Sequence, residues 1–138
     1  MRTRKAWTWA NWAMAGLFGL SVVVQFNDPD PLRWIVLYGC AVFICSLEAR
    51  RGAPWQAAAV VALIALIPAA LIARGLDAVP VGDLFAEWEM QDNRVEETRE
   101  VGGLLIVAVW MTIVMVVALA RARRRRHTRA SATGVAGE

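Results

Sequence analysis

The sequence predicts an all-α fold, an integral membrane four-helix bundle with a short amphipathic surface helix in its third connection. Of its 138 residues, 58% are hydrophobic, whereas a soluble domain is closer to half apolar. The apolar residues are concentrated in runs, and a run of ~20 such residues crosses a bilayer core as a helix. The runs predict helices at about 7–26, 32–49, 55–73 and 94–121, which form one transmembrane domain, 1–121.

Basic residues mark one side of the predicted bundle. They precede the first run, separate the second from the third and follow the fourth, at Arg2, Arg4, Lys5, Arg50, Arg51 and 121–129. Flanks rich in Lys and Arg stay in the cytoplasm. Both termini are therefore predicted to be cytoplasmic in a multi-pass protein of the cell membrane, which in a bacterium is the inner membrane. The two acidic connections are predicted to lie outside.

The first helix carries Trp7, Trp9 and Trp12 near its cytoplasmic end, where indole rings anchor at the level of the lipid headgroups. Asn11 is a polar residue near the same end. We expect it to form a hydrogen bond with a neighbouring helix and so to support packing, and a functional role is the alternative.

An acidic, proline-punctuated corner, 25–31, joins the first two helices. Asn27 can adopt the left-handed conformation that ends a helix, and Asp30 before a proline suits the N-cap of the next helix. Capping and turn chemistry explain Asp30 fully, but they explain Asp28 and Gln25 less well. The corner is therefore a candidate site as well as a turn.

Alanines spaced by four, three and four residues run along the third helix and predict a buried packing face. They are Ala58, Ala62, Ala65 and Ala69. The connection that follows, 74–100, is predicted to hold the amphipathic surface helix, with Leu84, Phe85 and Trp88 on its apolar side.

A second acidic stretch lies where the fourth helix is predicted to enter the membrane. Glu97, Arg99 and Glu100 fall within one helical turn. Gly102 and Gly103, which follow soon after, are expected to permit the close approach of another helix where the fourth helix enters the membrane. Because the corner and this stretch both belong to the outer side, we expect their carboxylates to come together there.

These motifs resemble those of the transmembrane protein 220 family. The first part of the resemblance is the pattern Asn11, Met14, Phe18, Gln25-x-Asn27-Asp28-Pro29-Asp30, Trp34 and Tyr38. The second part is Glu97-x-Arg99-Glu100-x-x-Gly103-Leu104. The resemblance implies a small multi-pass membrane protein, and it implies no particular activity.

Three hypotheses could explain the acidic outer face. In the first, Arg99 pairs with Asp28 or Asp30 and fastens the corner to the fourth helix, as in a structural or accessory membrane component. In the second, Asp28, Asp30, Glu97 and Glu100 bind a hard cation such as Ca²⁺ or Mg²⁺ in a transport or sensing protein. In the third, paired carboxylates serve a membrane enzyme as acid and base.

The remaining features indicate partners rather than chemistry. The basic tail, 122–138, is expected to be disordered, and its arginines would attract anionic lipid at roughly 1 kcal/mol each. Neither a cofactor nor a nucleic acid is expected, whereas a homo-oligomer or a larger membrane complex is possible. Cys40 and Cys45 are expected to be small packing residues.

Overall fold

The computed structural model describes the backbone of residues 2–27, 31–74 and 93–135. These ranges form helices α1 (Arg2–Val24), α2 (Pro31–Arg50), α3 (Trp55–Ala73) and α4 (Asn93–Val135), with a 3₁₀ turn over Gln25–Asn27 after α1. Within these ranges there is no strand, and all four helices are long and apolar enough to cross a membrane. The predicted all-α, four-helix membrane fold is confirmed.

The fourth helix extends further than the sequence suggested. We expected it to end near residue 121 and the tail to be disordered, but its backbone stays helical to Val135. Hydropathy locates the membrane boundary, whereas arginine and alanine remain good helix formers in water. The helix therefore continues past the last apolar residue. The predicted amphipathic surface helix falls on residues 75–92, outside the described part of the chain.

The helices pack as two hairpins. The most extensive helix contacts are those of α3 with α4 and of α1 with α2, and α2 makes narrower contacts with α3 and α4. The alanine stripe is buried as predicted, since none of Ala58, Ala62, Ala65 and Ala69 is more than 7% exposed. Small side chains of this kind allow the backbones of two membrane helices to approach closely.

Large side chains connect the two hairpins. The rings of Trp7 on α1 and Trp110 on α4 stack with their centroids 5.8 Å apart. Phe18 and Met111 are fully buried. On the outside, long apolar side chains such as Leu63, Ile67 and Leu71 are exposed, because lipid is their solvent.

The two ends of the bundle differ in chemistry. We call the end where α1 begins, α2 ends and α3 begins the basic end; it includes Arg121 on α4. We call the opposite end the corner end; it includes the Gln25–Asn27 turn, the start of α2 and Glu100 on α4. Among the described residues, each end carries one polar cluster.

Candidate functional site

At the corner end, three aromatic rings form a stacked column. Tyr38 lies between Phe18 of α1, at a centroid distance of 6.2 Å, and Trp34 of its own helix, at 6.1 Å. All three side chains are less than 10% exposed. Tyr38 thus packs α2 against α1, and Trp34, a predicted site residue like Tyr38, supports the tyrosine ring from within α2.

The same tyrosine also determines how closely α2 approaches α4. A Cβ atom added at Gly103 would overlap the Tyr38 hydroxyl. The ring cannot easily swing away because aromatic neighbours hold it on both sides. Glycine is therefore the residue that fits at 103, whereas the neighbouring Gly102 has open space around the same added atom.

An ion pair joins α2 to α4 at the corner end, next to the aromatic column. Arg33 Nη2 donates to Glu100 Oε1 at 3.2 Å, linking the first turn of α2 to α4. The Arg33 guanidinium also lies 5.2 Å from the centroid of the Trp34 ring, a cation–π geometry. Glu100 was a predicted site residue, but its arginine partner here comes from α2.

The other predicted corner residues are described only in part. Gln25 lies in the 3₁₀ turn and is half-buried, and Asn27 completes the turn. The backbone of Glu97 and Arg99 belongs to α4, but their side chains lie outside the described part of the chain, as do Asp28 and Asp30. The predicted pairing of Arg99 with Asp28 or Asp30 and the predicted four-carboxylate cation site therefore remain predictions.

At the basic end, the Glu48 carboxylate is the centre of a second polar cluster. Its side chain has no exposed surface, and it accepts hydrogen bonds from three parts of the chain. Trp7 Nε1 of α1 donates to Oε1 at 2.8 Å, and the backbone N–H of Ala53 donates to Oε2 at 2.7 Å. Both terminal nitrogens of Arg121 on α4 also donate, one to each oxygen. We call Trp7, Glu48, Ala53 and Arg121 the Glu48 clasp.

The turn after α2 is shaped to complete the clasp. The N–H groups of Arg51 and Gly52 both donate to the Leu47 carbonyl, and Gly52 has a φ of +92°. This left-handed conformation ends helices and favours glycine. A Cβ at Gly52 would also lie 2.5 Å from Arg121 Nη1. The glycine therefore turns the Ala53 N–H towards Glu48 and leaves room for the arginine.

Deeper in the membrane, polar atoms accompany the stacked tryptophans. Asn11 is fully buried, and its Nδ2 donates to the Trp7 carbonyl of its own helix at 2.9 Å. The bond that the structure describes is thus within α1, whereas a bond to a neighbouring helix was expected. Among the described residues, Asn11 Oδ1 has no hydrogen-bond donor. The buried Trp110 Nε1 likewise has no hydrogen-bond acceptor among the described residues.

Sequence reasoning missed both arginine–glutamate pairs, although each carried a signal. Glu48 is an acidic residue inside an apolar run, and a charge in that position calls for a partner from a neighbouring helix. Arg33 is a basic residue directly after the acidic corner, where the positive-inside pattern disfavours it. Hydropathy could have marked Glu48 and Arg33 as exceptional, but it could not have identified their partners, which are 73 and 67 positions away in sequence.

The chemistry of these clusters is charge neutralisation between helices. Glu48 and Glu100 are the two carboxylate side chains that the structure describes, and each is paired with an arginine of another helix. A guanidinium that engages both oxygens of a carboxylate, as Arg121 does, holds it in one orientation. Within the described ranges, no three His, Cys, Asp or Glu side chains converge as metal ligands would.

Comparison with known proteins adds a family context. The model of a family described as "Transmembrane family 220, helix" matches residues 17–116, which include the aromatic column, Glu48 and Glu100. A curated relative, Transmembrane protein 220 of Xenopus laevis, is 32% identical over 115 residues, or 80% of this chain and 59% of the frog protein. The chain thus spans less than two thirds of the length of that relative. No solved structure is a significant match.

Proposed function

The chain belongs to the transmembrane family 220, and from this premise we propose that it is a structural or accessory component of a cell membrane. In this role, the bundle holds the acidic outer motif, which comprises Asp28, Asp30 and 97–100, in a fixed position. The motif is then available to a second copy or to another subunit of a membrane complex. In this proposal, the carboxylates of the motif hold helices or subunits in position, and they take no part in a chemical reaction.

The observation that carries the proposal is that Glu48 and Glu100 are each paired with an arginine of another helix. Glu48 is buried and accepts hydrogen bonds at both oxygens, and Glu100 is bound to an arginine that also contacts Trp34. A carboxylate that serves a cation or a substrate needs free oxygen lone pairs. At Glu48, hydrogen bonds from Trp7, Ala53 and Arg121 occupy those lone pairs. The same bonds join α1, α2 and α4.

The predicted membrane orientation fits this role. With both termini in the cytoplasm, the Glu48 clasp lies at the cytoplasmic surface and the acidic corner faces outside. The arginines at 123–126 are exposed on the last turns of α4, where they can bind anionic lipid. That lipid contact would steady the helix that carries Arg121.

A binding measurement separates this role from the alternative, a Ca²⁺ or Mg²⁺ site in a transport or sensing protein. Equilibrium dialysis of the detergent-solubilised protein with each ion is compared for the wild type and for Asp28→Asn combined with Glu100→Gln. The structural role predicts the same low binding for both proteins. One ion bound per chain in the wild type and lost in the double variant would establish the alternative.

A stability measurement tests the structural role directly. Glu48→Gln should lower the free energy of unfolding by about 3 kcal/mol, because it leaves Arg121 without its charge partner. Glu100→Gln is the matched control, since its ion pair is partly exposed and such pairs contribute about 1 kcal/mol or less. Equal, small effects of the two variants on thermal unfolding in detergent would contradict the structural role of Glu48.

A further inference from the structure

The basic end carries a groove that neither the Glu48 clasp nor the packing of the bundle uses. It lies along the first turns of α1, has a volume of about 800 Å³, and is lined by Arg4, Lys5, Thr8, Trp9 and Trp12. Arg50, at the end of α2, places its guanidinium 5.4 Å from the centroid of the Trp12 ring. Cationic groups from two helices therefore border a surface made largely of indole rings.

The tryptophans of the groove differ from the third tryptophan of α1. Trp7 is turned inwards, where it donates to Glu48 and stacks on Trp110. In contrast, Trp9 is 73% exposed and Trp12 is 38% exposed. The two carboxylates that the structure describes are engaged with Arg33 and Arg121, so they leave the charge of Arg4, Lys5 and Arg50 available to an external anion.

Below the groove, the same face of α1 forms a shallow trough. The residues that follow Trp9 on this face, at steps of four and three, are Ala13, Gly16, Leu20 and Val23, and all four are exposed. No atom outside the neighbouring backbone lies within 4 Å of a Cβ placed at Gly16. Two small residues followed by two branched apolar ones offer a path for an acyl chain directly beneath the cationic rim.

We propose that this groove binds one anionic phospholipid, with the headgroup phosphate between Arg4, Lys5 and Arg50 and an acyl chain along Ala13 and Gly16. Charge complementarity selects the phosphate, and indole rings at this depth favour the ester region of a lipid. The site differs from the exposed arginine run on α4, which offers charge without an indole-lined groove or an apolar trough. It does not depend on the structural role proposed above.

Native mass spectrometry of the full chain, supplied with equal amounts of phosphatidylglycerol and phosphatidylcholine, tests this site. The wild type should retain one phosphatidylglycerol in preference to phosphatidylcholine. Replacing Arg4, Lys5 and Arg50 together with Gln should reduce that preference by about fivefold for each basic residue removed. The matched control replaces Arg123, Arg124 and Arg125 with Gln, which removes the same charge from an exposed part of α4. It should weaken the general attraction of anionic lipid to α4 but keep the one phosphatidylglycerol that the groove retains.

Two further measurements define the ligand and the trough. Excess glycerol phosphate should fail to displace the lipid, because it lacks the acyl chain; complete displacement would overturn the proposal in favour of a simple phosphate site. Gly16→Leu should fill the trough and lower retention severalfold, and its Cβ meets no other atom within 4 Å. No lipid preference in the wild type, or equal losses in the two triple variants, would also overturn the proposal.

Discussion

At the scale of single residues, Gly103 shows how a side chain of one hydrogen atom can set the distance between two helices. The Tyr38 hydroxyl occupies the space that a Cβ at Gly103 would need. The tyrosine ring stacks with both Phe18 and Trp34, so moving it away from Gly103 would break these contacts. The spacing of α2 and α4 at the corner end therefore depends on the absence of a methyl group.

We predict that Gly103→Ala destabilises the bundle by about 1–3 kcal/mol, the usual cost of overpacking a well-filled interior. The measurement is thermal unfolding in detergent. Gly102→Ala is the matched control, because a Cβ there meets nothing within 4 Å and alanine is the better helix former. The control should be neutral or stabilising, and Gly103→Ala should recover when Tyr38→Phe removes the hydroxyl. Equal melting temperatures for the two glycine variants would contradict this account.

The polar residues show what a sequence can and cannot reveal at this scale. The exceptional positions could be recognised, since Asn11 is polar within an apolar run and Glu100 belongs to an acidic stretch at the start of another. Their partners could not, because pairing depends on how each helix is rotated and on which helices are adjacent. Asn11 instead donates to the carbonyl one turn earlier in α1, and Glu100 is held by Arg33, which belongs to neither of the predicted motifs.

At the scale of elements, the Glu48 clasp explains how α4 is held to the α1–α2 hairpin, with which its backbone makes only narrow contact. Glu48 lies in the last turn of α2, Trp7 lies in the second turn of α1, and Arg121 lies where α4 leaves the apolar region. Each donor is thus on a different element, and the carboxylate satisfies all of them where water is scarce. Removing one donor leaves charge or hydrogen-bonding capacity unmatched, which is costly in a buried position.

We predict that Trp7→Phe lowers the free energy of unfolding by about 1.5–3 kcal/mol, the range for a hydrogen bond to a charged group. Trp9→Phe is the matched control: it makes the same chemical change two residues away on an exposed side chain, and it should cost less than about 0.5 kcal/mol. Thermal unfolding of both variants in the same detergent provides the comparison.

A double-mutant cycle separates the hydrogen bond from the stacking of Trp7 on Trp110. In a Glu48→Gln background, Trp7→Phe should cost clearly less, since the charged acceptor is gone while the ring contact remains. If Trp7→Phe costs the same in both backgrounds, stacking alone accounts for its effect and the clasp does not join α1 to α2.

The helices themselves were the most predictable elements. Hydrophobic run length indicated four crossings, and the alanine spacing of α3 indicated its buried face, because both depend on local sequence and on the lipid solvent. The end of α4 was less predictable. A change in polarity at residue 121 looked like the end of a helix, but helical hydrogen bonds do not require apolar side chains, and the backbone remains helical to Val135.

At the scale of the whole molecule, the two ends of the bundle differ in their charged residues. This asymmetry predicts the orientation of the protein in a membrane. The basic end gathers Arg4, Lys5, Arg50 and Arg51, and the arginines of α4 continue beyond it. The corner end holds Glu100 and the Gln25–Asn27 turn, which leads into the acidic Asp28 and Asp30 in the sequence. Short loops rich in Lys and Arg are retained in the cytoplasm, so the Glu48 clasp and the α1 groove should face inwards together.

We predict that both termini are cytoplasmic and that the third connection is external. The measurement uses a cysteine-free background, made with Cys40→Ala and Cys45→Ala, into which Ser131→Cys or Gln91→Cys is introduced. A membrane-impermeant maleimide applied to intact cells should label Gln91→Cys and spare Ser131→Cys, and permeabilised cells should show both. The reverse pattern would place the clasp and the α1 groove on the outer side.

A second variant tests which residues set the orientation. Arg50 and Arg51 lie at the short basic connection between α2 and α3. If they help to set the orientation, replacing both with Glu should produce a detectable fraction of inverted chains.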